Sequence, residues 1–277
     1  METTVIAGLI GCGSIGSVIA KAIDDGEVGD ITLRTIYDIV REHAERLAST
    51  LSRKPIIAET AEELLEDEKI QLVIEAASQD AVRQYAVKAL SEGKDLMVMS
   101  TGALIDDELF REISRIAKER GRKVYVPSGA IVGLDNIKAA AVRPIEEVVL
   151  TTRKPPQSFE GAPLIRKKQI DLSSLKKPIL LFEGSAREAV KLFPRNVNVS
   201  ASLSLAGIGP DRTKVRIIAD PQVEDIIHEI HVKGEFGEIR TQTFNKPFPE
   251  NPKTSYIAAL SAIATLRKIC GNIIVGT

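Results

Sequence analysis

Val5-Ile6-Ala7-Gly8-Leu9-Ile10-Gly11-Cys12-Gly13-Ser14-Ile15-Gly16, residues 5–16, joins a short apolar run to a glycine-rich loop and then to an apolar-periodic stretch, Ile15 to Ile23. In order this reads as strand, tight turn and helix. Gly11 permits the turn, Gly13 removes the Cβ that would hold a ligand away from the backbone, and Gly16 lets helix and strand pack closely. The helix N-terminus offers N–H groups and a positive dipole to an anion. A glycine triplet of this spacing is weak evidence alone. Here it follows a buried-type strand and heads an alternating series. Leu33–Tyr37 reads as the second strand, and Asp38, 22 positions after Gly16, stands where a carboxylate for a ribose hydroxyl is expected. The stretch predicts a Rossmann unit contacting a dinucleotide through Gly11, Cys12, Gly13, Ser14, Ile15, Gly16 and Asp38. The carboxylate repels a 2′-phosphate and favours NAD. Arg41 offers that phosphate a cation, so NADP is expected to be tolerated.

Downstream the alternation continues. Glu42–Ser49 reads as helix, Ile56-Ile57 as a short strand, and Thr60 as the cap of a helix through Leu65, with Glu63 completing a capping box. Leu72–Ala76, Asp95–Met99 and Lys123–Val126 read as strands, and Ala81–Glu92 and Ile105–Arg120 as helices. Strands separated by helices imply parallel crossovers, hence an α/β, doubly wound parallel sheet. The loops Ala76-Ala77-Ser78-Gln79, Ser100-Thr101-Gly102-Ala103 and Ser128-Gly129-Ala130 follow strands, where open α/β sheets bind ligands. Each is equally an ordinary strand-to-helix turn; as a set they are expected to line the nicotinamide cleft.

Beyond about Asp135 the texture changes. Glu147–Thr152, Ile179–Phe182 and Val215–Ala219 read as strands between proline-bearing segments, and Gly234 and Gly237 punctuate a hairpin between Ile226 and Phe244. This predicts a second, α+β domain with a largely antiparallel sheet. Residues 1–134 are expected to form the dinucleotide-binding domain and 135–250 the substrate and oligomerisation domain. Residues 251–277 are expected to carry a helix that packs back onto the first domain, capped by Asn251, with Pro252 at its first position and an apolar face of Ile257, Leu260, Ala264 and Leu266.

Composition narrows the classes of partner. With 44% apolar and 27% charged residues the chain is an ordinary globular one, and a net charge of −1 supplies no field for nucleic acid or an anionic membrane. No run is long and apolar enough to span a bilayer, and METTVIAGLI has no basic leader, so a cytoplasmic location is expected. Cys12 and Cys270 have neither disulfide nor metal spacing, and no metal is expected.

Of the three histidines, His43 lies in the charged stretch Arg41–Arg46 and reads as a surface residue. His228 and His231 lie three apart in one strand and so face opposite ways. His228 shares its face with Ile226, Ile230 and Val232. A histidine there is more often a packing residue than a catalyst. In a dehydrogenase, where hydride transfer needs a proton partner, it becomes the candidate acid–base group. Pro194–Ser202 is the other polar concentration: as a strand it puts Asn196, Asn198, Ser200 and Ser202 on one face, and a helix capped by Asn196 is the competing reading. Amides there suit a carboxamide or a substrate carboxylate.

With these residues in view, GCGSIG at 11–16, PSGAIVGLD at 127–135, TTRKPP at 151–156, PRNVNVSASLSLAGIG at 194–209, IIHEIHVKGEFGE at 226–238 and NPKTSYIAALSAIATL at 251–266 together resemble the L-aspartate dehydrogenase family of the short archaeal and bacterial type. The resemblance implies reversible oxidative deamination of L-aspartate to oxaloacetate and ammonia through iminoaspartate, which such enzymes can supply to NAD biosynthesis. It places the family's catalytic histidine on His228, and its NAD-contacting alanine and asparagine on Ala130 and Asn198, with Asn196 one step away. On that reading His228 is the general base, Arg153, Lys154 and Arg195 with the Asn196 amide are candidates to clamp the substrate carboxylates, and a homodimer or homotetramer is expected. Two other readings stand beside it: a two-domain dehydrogenase for another small acid of the homoserine, malate or dihydrodipicolinate type, and a non-catalytic NAD sensor.

Overall fold

The computed structural model describes residues 4–194, 198–248 and 251–276. The chain divides into two compact units, one built from residues up to Pro127 together with Ala259–Ile274, the other from Ser128–Ala258 and the residues from Val275 on.

In unit one, β1 (Val5–Ile10), β2 (Ile31–Tyr37), β3 (Ile56–Ile57), β4 (Leu72–Glu75), β5 (Asp95–Val98) and β6 (Val124–Tyr125) form a parallel sheet in the order β3-β2-β1-β4-β5-β6. The order reverses between β1 and β4, the switch point at which such sheets take their ligands. Parallel strands covered by helices on both faces bury both sets of side chains, which is why β1 and β4 read as unbroken apolar runs. The helices are α1 (Ser14–Asp24), α2 (Arg41–Thr50), α3 (Ala61–Glu66), α4 (Gln79–Ser91) and α5 (Asp107–Arg120). On one face of the sheet Leu9, Ile19, Ile36, Ile74 and Met97 form a core that Ala262, Ile263 and Leu266 of the helix Tyr256–Cys270 complete.

Two local expectations are corrected. α5 begins at Asp107 rather than Ile105, because the Asp106 carboxylate accepts from the N–H groups of Glu108 and Leu109, while Thr101–Ile105 winds as a tighter 3₁₀ turn. Thr60 caps α3 by accepting from the Glu63 N–H, but the Glu63 carboxylate accepts from the N–H of Glu59, so only half of the expected box forms.

In unit two, α6 (Leu134–Ala140) leads into β7 (Ile145–Lys154), followed by α7 (Pro163–Lys168), β8 (Ile179–Ser185), α8 (Ala186–Leu192), α9 (Asn198–Ala206), β9 (Lys214–Ala219), β10 (Ile226–Gly234) and β11 (Gly237–Asn245). The sheet order is β11-β10-β7-β9-β8, antiparallel except for the pair β7 and β9. One face is buried, with Val148, Leu150, Val215, Ile217, Ile230 and Val232. The other leaves Val149, Thr151, Glu229 and His231 half-buried and Gln242 and Phe244 exposed. The stretch at 198–206 is helical, which decides between the two readings of that segment; Arg195 and Asn196 lie outside the described residues.

β12 (Pro247–Phe248) pairs with β13 (Asn251–Ser255), and α10 (Tyr256–Cys270) follows. The expected helix start at Pro252 is therefore displaced, because a ladder captures that backbone first. The expected apolar face shifts too. The buried stripe is Ala259, Ala262, Ile263 and Leu266, an i, i+3, i+4, i+7 set, whereas Ile257 and Leu260 are about two-fifths exposed.

Candidate active site

The glycine loop is dictated by close approach. Gly11 has φ +99°, and a Cβ there would lie 2.6 Å from the Ala76 carbonyl carbon, because the loop after β1 crosses the loop after β4. A Cβ on Gly16 would lie 2.0 Å from the Gly11 oxygen. At Gly13 a Cβ would meet nothing within 4 Å: this glycine keeps space open in front of α1, whose N-terminus carries no side-chain cap. Ser14 and Ile15, half-buried, open the helix.

Asp38 closes the other side. Its Oδ2 accepts from the Cys12 N–H at 2.7 Å and its Oδ1 from the Val40 N–H at 2.9 Å, so the end of β2 is tied directly to the glycine loop. Burial, then the Asp38 charge, push the Cys12 thiol up to about 12, which leaves it a protonated packing group. Arg41 is engaged by Glu45 at 2.9 Å and Glu59 at 2.5 Å. An open glycine cradle, an uncapped helix N-terminus and a carboxylate at the end of β2 fit the pyrophosphate and ribose of a dinucleotide.

At the carboxyl end of β4, Ala76 is half-buried and Ala77 and Ser78 are exposed, with the Ser78 hydroxyl accepting from the Ala81 N–H to cap α4. Glu75, which precedes them, is buried and bonded to this loop and to the next one. Sequence reasoning passed over it, although a lone acid closing the apolar run LVIEA was a legible signal.

In unit two the register of β10 on β7 sets His228 opposite Thr152, and His228 Nδ1 lies 3.0 Å from Thr152 Oγ1. Lys154 lies two residues further along the same face of β7, and all three side chains are buried. Burial, then the Lys154 charge, push His228 down to about 3, and burial pushes Lys154 down to about 8. The imidazole is thus neutral across the working range of an enzyme. Across β11, Thr243 Oγ1 and Asn245 Nδ2 donate to the Ala130 carbonyl at 3.2 and 3.0 Å. Gly129, at φ +67°, places its missing Cβ 3.8 Å from Val199, so Ala130 runs beside the start of α9, where Asn198 is half-buried.

The structure thus groups His228 with Thr152 and Lys154, and sets Ala130 near Asn198. It does not bring Arg153 to them: this side chain alternates to the opposite face and pairs with the buried Asp220 at 2.7 Å. Among the described residues no cluster of His, Cys, Asp and Glu has a metal-holding arrangement, and no helix is long and apolar enough to cross a membrane.

Residues 135–269 match the family described as aspartate dehydrogenase, C-terminal, and residues 11–127 match homoserine dehydrogenase, NAD binding domain. The chain is 50% identical over 270 residues to an L-aspartate dehydrogenase of Methanosarcina barkeri, covering 98% of each chain. It is 42% identical to one from Nitrosopumilus maritimus, covering 95% of this chain and 96% of that one. The crystal structure of aspartate dehydrogenase from Thermotoga maritima matches 99% of this chain and 100% of its own, with a TM-score of 0.76 at 27% identity. The sheet order, the glycine cradle and these end-to-end matches agree: the chain belongs to the L-aspartate dehydrogenase family of NAD(P)-dependent oxidoreductases.

Proposed function

We propose that the protein catalyses the reversible oxidative deamination of L-aspartate to oxaloacetate and ammonia, with NAD preferred over NADP. The observation that carries the reading is the buried pair His228 and Lys154, in a chain that matches L-aspartate dehydrogenases along nearly its whole length. Nicotinamide, when bound, takes up or returns the hydride of such a reaction. Gly11, Cys12, Gly13, Ser14, Ile15 and Gly16 hold the pyrophosphate, Asp38 the adenine-side ribose, and Ala76, Ala77, Ser78, Ala130 and Asn198 the nicotinamide half.

With Nδ1 of His228 engaged by Thr152, Nε2 takes the proton from the substrate ammonium or from the water that adds to the imine, and returns it in the reverse direction. The Lys154 ammonium receives a substrate carboxylate, with Arg195 and Asn196 as further partners. Burial is the larger cause that holds His228 down, and that negative charge offsets only the second, the Lys154 field. Arg153, held by Asp220, is outside this clamp.

NAD is favoured because Asp38 meets the ribose while Arg41 is already engaged by two carboxylates. The half-open face of the unit-two sheet suits a homodimer or homotetramer. A cytoplasmic enzyme of this kind supplies iminoaspartate to NAD biosynthesis.

The test follows NAD(P)H absorbance in both directions: L-aspartate with NAD or NADP at alkaline pH, and oxaloacetate with ammonia and NADH near neutrality. Activity both ways is expected, higher with NAD than NADP and absent with malate, homoserine or glutamate. His228→Ala is expected to lower turnover roughly 10²–10⁴-fold with NADH affinity retained. Near-wild-type turnover in that variant removes His228 from the chemistry, and activity on another acid alone returns the second dehydrogenase reading.

A further inference from the structure

Glu75 closes β4 and is 2% exposed, among the apolar side chains of Ile10, Val73, Val82, Tyr85 and Leu96. Its carboxylate accepts four hydrogen bonds. Oε1 takes the Ala77 N–H at 2.8 Å and the Ser100 hydroxyl at 2.7 Å, and Oε2 takes the Ser100 N–H at 2.9 Å and the Met99 N–H at 3.2 Å. One buried group therefore fixes both the loop after β4 and the loop after β5. Burial alone raises the proton affinity of this carboxyl, and the four donors oppose that rise. A carboxyl in such surroundings is costly for folding, and an apolar side chain would continue the strand pattern.

The strand order says what the loops serve. β3-β2-β1 and β4-β5-β6 are the two mononucleotide-binding halves of the sheet, and a dinucleotide lies across the switch between them. Asp38, at the end of β2, marks the half that takes the adenine-side ribose. The loops held by Glu75 belong to the other half. We propose that Glu75 is a positioning residue that sets residues 76–78 and 99–100 for the nicotinamide half of the dinucleotide, while the adenosine half binds without its help. The inference rests on the family's nicotinamide cofactor, and not on the identity of the substrate.

The experiment compares NADH and ADP binding to the full chain, with thermal melting, for the wild type, Glu75→Gln and Ser100→Ala. Glutamine keeps the shape but turns one acceptor into a donor against N–H groups. NADH affinity is expected to fall about tenfold in Glu75→Gln and less in Ser100→Ala, the loss expected for one or two buried hydrogen bonds. ADP, which lacks the nicotinamide riboside, is expected to bind all three within about twofold, since its contacts are untouched. An unchanged NADH affinity, or equal weakening of NADH and ADP, makes Glu75 a structural brace only and overturns the proposal. Should Glu75→Gln fail to fold, Ser100→Ala decides by the same two ligands. None of these readouts uses aspartate, so failure of the substrate assignment leaves this result standing.

Discussion

His228 carries its own pH signature. Its folded-state value is about 3 and its ordinary value 6.5, so below 6.5 the unfolded chain binds a proton that the folded chain refuses. The contribution is whole above pH 6.5 and is lost as the pH falls toward 3, at up to about 1.4 kcal/mol per pH unit. Urea unfolding at pH 7 and pH 4.5 is expected to show a larger drop for the wild type than for His228→Gln, which has no proton to bind; equal drops would place the imidazole in contact with solvent. The facing of His228 was legible in the alternation of IIHEIHV, because a strand's period is local. Its partner was not. Thr152 lies 76 residues away in sequence and is brought to Nδ1 only by the register of two strands. Lys154 was legible as a cation near TTRKPP, but its burial, and the separation of Arg153 to the other face, depend on which side of β7 the core occupies.

At the level of the strand–loop–helix element, the glycines divide by what surrounds them. Gly13→Ala meets nothing within 4 Å and is expected to melt like the wild type while binding NADH about tenfold more weakly, since its methyl enters the space before α1. Gly16→Ala drives a methyl against the Gly11 oxygen and is expected to lower stability by about 1–3 kcal/mol as well as NADH affinity. Calorimetry and fluorescence titration read the two effects apart; equal melting of both variants would mean that α1 can shift away from the loop freely. This element was legible because its signals sit within twelve residues, Val5 to Gly16. The parallel strands were legible for a related reason, being buried apolar runs between helices. Segments whose outcome depends on distant pairing were not. The start of α10 was displaced by the β12–β13 ladder, and the alternation of Asn198, Ser200 and Ser202 suited strand and helix alike until the helix formed.

For the whole molecule, the exposed face of the unit-two sheet mixes apolar side chains with charged pairs. Leu180 is 54% and Phe244 61% exposed, beside Lys214–Glu147, Arg216–Glu183 and the group His231, Glu238 and Arg240. Light scattering on the eluted protein is expected to give two or four times 30.1 kDa, and Phe244→Glu to shift it toward a single chain. A wild-type mass of 30.1 kDa would refute the assembly. Composition foretold a globular, nearly neutral molecule; it could not say which sheet face is bare, since that follows from which side the helices cover. One feature of the division into units reaches into the cell. Ala262, Ile263 and Leu266 complete the core that Ile19, Ala20 and Ile23 begin. During translation the nucleotide-binding unit is therefore started first and completed only after residues 128–258 of the other unit have been made. It waits with an apolar groove bare while those residues leave the ribosome, and that groove is the surface a nascent-chain chaperone would have to shield.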